Sequence, residues 1–412
     1  MSDSLQNIFL GRQPILDRDQ RIVAYELLFR SDPGLDANVQ DDLQASARVI
    51  IQAFSELGIA SVLGDKKGFI NVSADLLMSD MIELLPCDKI VIELLETIRI
   101  DKQIISRCHD LKAMGFSLAL DDFNGEVQLE SLFDLVEVIK FDLPQMGQEA
   151  LEKNVNFLKR WPLKLLAEKV EQIEQAYHCK ELGFDLFQGY YYARPVILSG
   201  KRADSSRLML MKLLGLVLDD AETEEIEQVF KHDPSLSFNL LRMVNSVAMG
   251  IRYRISSLKQ ALVVLGRQQL QRWLQLLLFV NLGGGLNSPL LELAATRGKL
   301  MELLAETQVE QDGDYHDRAF MVGIMSLLDT LFGMPLAEVL EQVNLASDVE
   351  DALLNRGGDL GKLLLLVEKT EQHDFDTAAG ILSEMQISKG GLVQAQVEAM
   401  RWAHDIREIA HA

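Results

Sequence analysis

The 412-residue chain has only three cysteines, Cys87, Cys108 and Cys179. An odd number without a short Cys-x-x-Cys spacing builds neither a disulfide framework nor a zinc knuckle, and it suits a reducing compartment, so a cytoplasmic location is expected. Positive charge is also scarce: 40 Lys and Arg stand against 62 Asp and Glu, a net charge of −22. A nonspecific grip on DNA or on an anionic membrane would work against the chain's own field, so no DNA partner is expected. Long apolar runs are missing too. Met1 to Arg12 lacks a basic segment followed by an apolar core, and the most apolar later run, Trp273 to Leu282, is short and holds Gln275 and Asn281. Neither a signal peptide nor a membrane span is expected.

What is plentiful is core material. A hydrophobic fraction of 48% with 25% charged residues describes a folding chain, long enough for two or three domains. From Ile8 to about Pro195, short β-type runs alternate with helical stretches, the pattern of βα units around a parallel sheet. The runs are Ile22 to Phe29, Gly68 to Val72, Lys89 to Leu95, Ser117 to Leu120, Val138 to Phe141, Lys164 to Ala167 and Leu186 to Tyr192. Between them lie amphipathic segments such as Asp41 to Leu57 and Asp101 to Met114. Seven or more strands in this length predict a closed barrel.

Nearly every run ends on a polar residue: Glu26, Asn71, Glu93, Asp121 with Asp122, Lys140, Glu168 and Gln188. Taken singly, a strand-end carboxylate is most simply a helix cap or a solvated side chain. Their shared register carries more, because the C-terminal ends of parallel barrel strands face one mouth, where such barrels hold their sites. Several carboxylates and an amide gathered there are hard oxygen ligands, suited to Mg²⁺ or Mn²⁺. In the Asp121-Asp122 pair, one carboxylate can bridge two ions while its neighbour binds one. Lys140, a lysine within an apolar run, would be a fixed cation for water or for developing phosphate charge.

After Pro195 the texture changes. Residues 198–204 are polar and read as a linker, and from Ser205 onward β-type runs give way to Leu- and Ala-rich helical periodicity, broken at Gly283-Gly284-Gly285, Asp312-Gly313-Asp314 and Gly357-Gly358. The expected division is a barrel over 1–197, a linker over 198–204 and a helical domain over 205–412.

The first half resembles the EAL domain, a barrel family that hydrolyses cyclic di-GMP to linear pGpG. The resemblance rests on Tyr25-Glu26-Leu27-Leu28-Phe29-Arg30, Phe69-Ile70-Asn71-Val72-Ser73, Ile92-Glu93-Leu94-Leu95-Glu96, Leu120-Asp121-Asp122-Phe123, Ile139-Lys140-Phe141-Asp142, Ala167-Glu168-Lys169-Val170-Glu171 and Gln188-Gly189-Tyr190-Tyr191, in that order. Gly11-Arg12-Gln13-Pro14-Ile15 is similar to the branch fused to HDOD domains. The fold implied is α/β followed by all-α: a TIM-type (β/α) barrel, then a helical HDOD domain.

Carried over residue by residue, the resemblance makes Glu26, Asn71, Glu93 and Asp121 ligands of one metal, and Asp121, Asp122 and Glu168 ligands of a second. Lys140 orients the nucleophilic water, with Glu168 and Glu171 beside it in the catalytic group. Arg30 and Gln188 stand on the substrate side, and Glu96 steadies the loop after the Asp-Asp pair. Two places depart from the family. Asn124-Gly125-Glu126-Val127-Gln128 replaces the usual Gly-Thr-Gly-type turn, which in the family couples metal, substrate and dimerisation. Lys169 replaces a glycine beside Glu168. The implied function is a cyclic di-GMP phosphodiesterase, with a catalytically silent receptor or scaffold as the alternative.

The second half resembles an HDOD domain at Asp233-Pro234-Ser235-Leu236, Leu240-Leu241-Arg242-Met243-Val244-Asn245-Ser246 and Ile255-Ser256-Ser257-Leu258-Lys259-Gln260-Ala261. The related HD-type phosphohydrolases need a His-Asp pair, and here Ser326-Leu327 occupies that place. Asp233 and Asn245 are expected to fix helix ends and an inter-helix turn. The domain is read as a noncatalytic module for protein partners, and a homodimer is what the family implies.

Overall fold

The computed structural model describes residues 8–31, 62–189, 205–245, 255, 257–280, 289–341 and 343–411. The helix expected over Asp41 to Leu57, the linker 198–204, the Gly283-Gly284-Gly285 break and Tyr190 to Tyr192 lie outside the described residues. Two compact units are distinguished, one of residues 1–194 with 366–401 and one of residues 195–365 with 402–412.

The first unit is built on a closed eight-stranded barrel. Its strands are β1 (Ile8–Asp17), β2 (Ile22–Ser31), β3 (Lys67–Val72), β4 (Ile90–Leu94), β5 (Ser117–Leu120), β6 (Val138–Asp142), β7 (Lys164–Glu168) and β8 (Leu186–Phe187). From β2 to β8 neighbouring strands run parallel. β1 departs from the expected all-parallel arrangement and runs antiparallel to both β2 and β8. A tight turn makes this possible: Gln20 at φ 62 lets the chain reverse, and Asp17 Oδ1 accepts from the backbone N–H of Asp19 and of Arg21 at 2.9 Å each.

β4, β5 and β6 are buried at every position, as expected for strands covered on both faces. On the inner face Ile15, Ala24, Phe69, Val91, Ala119, Val138 and Leu166 form one cluster, with Leu186 packed against it. One residue from each strand thus plugs the barrel in a single layer. Outside, the helix Lys102–Ala113 buries Ile104, Cys108 and Leu111, and Asp101 caps it by accepting from Gln103 and Ile104. The helices Gln148–Leu158 and Ile173–Leu182 follow β6 and β7. Burial pushes the Cys108 thiol up to about 11 and the Cys179 thiol up to about 12, which leaves both inert.

The second unit is helical among its described residues. The helix Leu258–Leu278 is broken at Gly266, whose φ of 73 is non-helical. Pro289–Gln308 and Gly313–Met325 approach closely at two glycines: a Cβ on Gly323 would lie 2.7 Å from Gly298 Cα. Asp233 caps Pro234–Val244 through Leu236 N–H at 2.9 Å. Asn245 ties the following turn, donating to Leu241 O at 2.8 Å and Ile255 O at 2.9 Å and accepting from Ile255 N–H at 2.8 Å. Among the described residues, no helix is long and apolar enough to cross a membrane.

Candidate functional site

Strand periodicity builds the site. Side chains two residues apart share a face, so one step beyond each member of the plugging layer gives the next inward position. Ala24 leads to Glu26, Phe69 to Asn71, Val91 to Glu93, Ala119 to Asp121, Val138 to Lys140, Leu166 to Glu168 and Leu186 to Gln188. On the reversed strand β1 the step runs backward, from Ile15 to Gln13, which pairs directly with Glu26. Past the formal strand ends, hydrogen bonds from Asp121 N–H to Leu94 O (3.0 Å) and from Gln188 N–H to Ala167 O (2.8 Å) keep both residues in register.

Lys140 stands at the centre of this layer, with 1% of its side chain exposed. Its Nζ lies 2.5 Å from Glu93 Oε1, 2.8 Å from Glu168 Oε1, 3.2 Å from Asp121 Oδ1 and 3.4 Å from Glu26 Oε1. Glu26 is held further by Asn71 Nδ2, which donates to Oε1 at 3.0 Å, and by Gln188 Nε2, which donates to Oε2 at 2.5 Å. Gln188 Nε2 also donates to Gln13 Oε1 at 2.7 Å.

One lysine cannot neutralise four carboxylates, and their pKa values divide accordingly. Burial opposes ionisation of Glu26, but Lys140, Gln188 and Asn71 together hold its carboxyl below the ordinary value. Glu93, fully enclosed, is pushed well above it by burial, which Lys140 only partly offsets. Asp121 is raised by burial and by Glu26. Glu168 is raised to about 7, by burial first and then by Asp121 and Glu26. Lys140 itself is held well above the usual lysine value, its burial outweighed by Glu93, Glu26, Glu168 and Asp121.

At the rim, Asp122 has left-handed backbone with φ 44, and its carboxyl is raised by burial and by Asp121. Carboxylate oxygens of Glu96, Asp121 and Asp122 lie within 4.8 Å of one another, with Glu96 exposed. Glu171 is exposed, and its backbone N–H donates to Gln175 Oε1 at 2.9 Å. Arg30 lies on β2, with its side chain outside the described residues.

Two side chains without an assigned role belong to the site. Gln13 is one. Asp142, one inward step beyond Lys140, is the other: its Oδ2 accepts from Gln145 Nε2 at 2.6 Å and pairs with Lys169 Nζ at 2.5 Å. Lys169 adopts φ 52, a left-handed backbone that glycine would take without strain. Its side chain is 60% exposed, so it spans the rim beside Glu168 rather than filling the centre. The departing loop is packed through Phe123, whose ring meets Phe133 and Phe141 edge-on at 5.7 Å each, and through Gly125 at φ 96 against Asn154.

The donor set fits divalent cations. Asn71 Oδ1, Glu93 Oε2 and Gln188 Oε1 are buried oxygens that accept no hydrogen bond, beside carboxylates whose charge Lys140 does not balance. A buried oxygen without a partner is costly, and hard cations relieve both defects at once.

In the helical unit, Ser326, expected at the place of the His-Asp pair, is buried and hydrogen-bonded. Ser326 Oγ accepts from Arg297 at 2.7 Å and donates to Gly323 O at 2.8 Å. His232 and His316 bond the backbone at Gln228 O and Val309 O, both at 2.6 Å.

Comparison with known proteins agrees with this organisation. The EAL domain model matches residues 4–195 and the HDOD domain model matches residues 208–343. A Bacillus subtilis (strain 168) protein, named uncharacterized protein YuxH, is 31% identical over 97% of this chain and 99% of its own length. The cyclic di-GMP phosphodiesterase CdgJ of Vibrio cholerae serotype O1 is 30% identical over 99% of this chain and 95% of its own. Among solved structures, the PaMucR phosphodiesterase in complex with c-di-GMP is 21% identical, with a TM-score of 0.39 over 45% of this chain and 94% of that one.

Proposed function

The chain belongs to the family of proteins that join an EAL domain to an HDOD domain, and from that premise we propose that its barrel binds cyclic di-GMP and hydrolyses it to pGpG, with Mg²⁺ or Mn²⁺ as cofactor. The observation that carries this reading is the ring of four largely buried carboxylates around Lys140, more negative charge than one cation balances.

Glu26, Asn71, Glu93 and Asp121 would hold one ion, and Asp121, Asp122 and Glu168 the second. Two such ions supply Lewis acidity toward a phosphoryl oxygen and a water nucleophile at neutral pH. Lys140 is a fixed positive charge on the floor of the site, where it steadies negative charge developing at the phosphate. In the metal-free site the Glu168 carboxyl is raised to about 7, so taking an ion there would displace a proton near neutrality. Gln188 and Asn71 hold Glu26 ionised and in place. Arg30 and Glu171 take the substrate and supporting roles that the family implies. The divisions 1–197, 198–204 and 205–412 belong to the same reading, with the HDOD domain as a noncatalytic module that contacts protein partners and regulates the barrel in a cytoplasmic protein, a homodimer as the family implies.

One observation favours the second reading, a barrel that binds the dinucleotide without cleaving it. The Lys169–Asp142 pair places a cation on the rim beside Glu168 and Asp122. Incubating the full chain with cyclic di-GMP in Mn²⁺, in Mg²⁺ and in chelator, with both bound nucleotide and released pGpG measured, separates the readings. Protein that neither binds nor cleaves in either metal contradicts both.

A further inference from the structure

The inward face of β1 continues past Gln13 to Gly11 and Phe9, toward the mouth of the barrel. At Gly11 that face has no side chain, and a residue from far along the chain fills the place. A Cβ built on Gly11 would lie 2.7 Å from His373 Cδ2 and 2.9 Å from His373 Nε2. The backbone of Gly11 is ordinary strand, so the constraint is one of space: a Cβ there would have to displace the imidazole that occupies the volume.

His373 belongs to the stretch 366–401, which forms one compact unit with the barrel. Both family matches end before it, at 195 and at 343. The stretch is fastened along β1 by three contacts of different kinds. Phe375 stacks on Phe9 at 5.1 Å, Gln396 Nε2 donates to the buried Leu10 O at 3.1 Å, and Lys389 Nζ lies 5.3 Å from the Phe9 ring centre. His373 follows the helix Gly358–Glu371 and takes the left-handed conformation that ends it, φ 59, with Asp374 N–H donating to Lys369 O at 2.9 Å.

The ring is fixed on two sides, by Gly11 and by Phe375 at 5.8 Å, yet its Nε2 is shut from solvent with no hydrogen-bond partner. The charge that acts on it is Glu26, one layer below on the neighbouring strand. A buried ring nitrogen without a partner, beside the inward face of β1, is a polar atom that a ligand can satisfy, as a donor in the tautomer protonated there.

We propose that His373 is a ligand-contacting residue of the barrel site, its Nε2–H donating to a phosphate or base oxygen of the cyclic dinucleotide bound above Glu26. This rests on the cyclic di-GMP reading and extends it: the site is incomplete without residues 366–401, so the barrel and the end of the chain act as one binding unit. Gly11 is part of the device, since any side chain there evicts the imidazole.

The test uses five full-length proteins: wild type, Gly11→Ala, His373→Gly, the double variant, and His373→Gln as the conservative control. Tm reads the seat, and the KM and kcat for pGpG release, or Kd where binding occurs without turnover, read the contact. Losing one hydrogen bond to the ligand weakens affinity about tenfold. His373→Gly and Gly11→Ala should each raise KM or Kd by about that factor with kcat less affected. The double variant should be no worse than either alone, because the added Cβ then meets no ring, and His373→Gln should recover most of the affinity. Two results overturn the contact: a lowered Tm with unchanged affinity, which makes His373 packing alone, or fully additive effects of the two substitutions. A wild-type chain that binds no cyclic di-GMP overturns instead the reading on which the ligand rests, and the Tm coupling between Gly11 and His373 still decides whether the seat exists.

Discussion

Lys140 Nζ lies 2.5 Å from Glu93 Oε1 in a place where neither side chain meets solvent, their exposures being 1% and 0%. Burying one ion pair is already expensive, and three further carboxylates crowd the same lysine. The arrangement makes sense as a site built for more positive charge than the chain itself supplies.

The first consequence concerns Lys140. Lys140→Met strands four carboxylates, and breaking a buried pair by removing one partner costs about 3–5 kcal/mol. Urea unfolding of the metal-free protein should show a loss of that order. Saturating Mn²⁺ should narrow the gap between variant and wild type, because a ligand of the folded state stabilises it by mass action.

Glu93 should behave oppositely. Burial holds its carboxyl well above the ordinary value, so the enclosed site resists its charge, and a neutral amide removes that cost. Glu93→Gln is expected to leave metal-free Tm unchanged or raised. The rise in Tm that Mn²⁺ confers on the wild type should be largely lost, and thermal melts with and without metal check both halves.

pH dependence follows from Glu168. Its carboxyl titrates near 7 in the folded chain, against an ordinary value of 4.5. The folded state therefore binds the proton more tightly, and this group's contribution to stability is full below about 4.5 and lost as pH rises through about 7. Metal requires the ionised form, so Mn²⁺ affinity should rise by up to about tenfold per pH unit below 7 and level off above it. Calorimetric titration across that range, repeated on Glu168→Gln, should show the slope weakened in the variant.

Lys169→Gly tests the rim cation. Glycine accepts the φ of 52 at that position, and the substitution frees Asp142 from its ion pair. If the lysine restrains turnover, kcat rises while the Kd for cyclic di-GMP holds steady. An unchanged kcat removes the observation that favours a silent barrel.

Much of this site was legible along the chain because parallel strands repeat one geometry. Glu26, Asn71, Glu93, Asp121, Lys140, Glu168 and Gln188 each sit within or at the end of an apolar run, and the barrel converts that repeated position into a shared layer. Gln13 lacked the signal. Its strand runs the other way, so its inward step counts backward from Ile15, and Arg12 and Pro14 interrupt the apolar pattern that would mark a strand. Asp142 sat inside a recognised motif, but its partner Lys169 comes from the next strand end. His373 had no local cue at all, since its place beside Gly11 is set by how residues 366–401 fold back on β1.

The most direct measurement is pGpG release from cyclic di-GMP by the full chain in Mn²⁺, wild type against Asp121→Ala. Asp121 is the ligand assigned to both ions, and it touches Lys140 at 3.2 Å. The account predicts metal-dependent pGpG from the wild type and a loss of at least about a hundredfold in the variant, on the order expected when electrostatic stabilisation of the transition state is removed. Equal turnover by the two proteins, or a wild type that neither cleaves nor binds the dinucleotide, would contradict it.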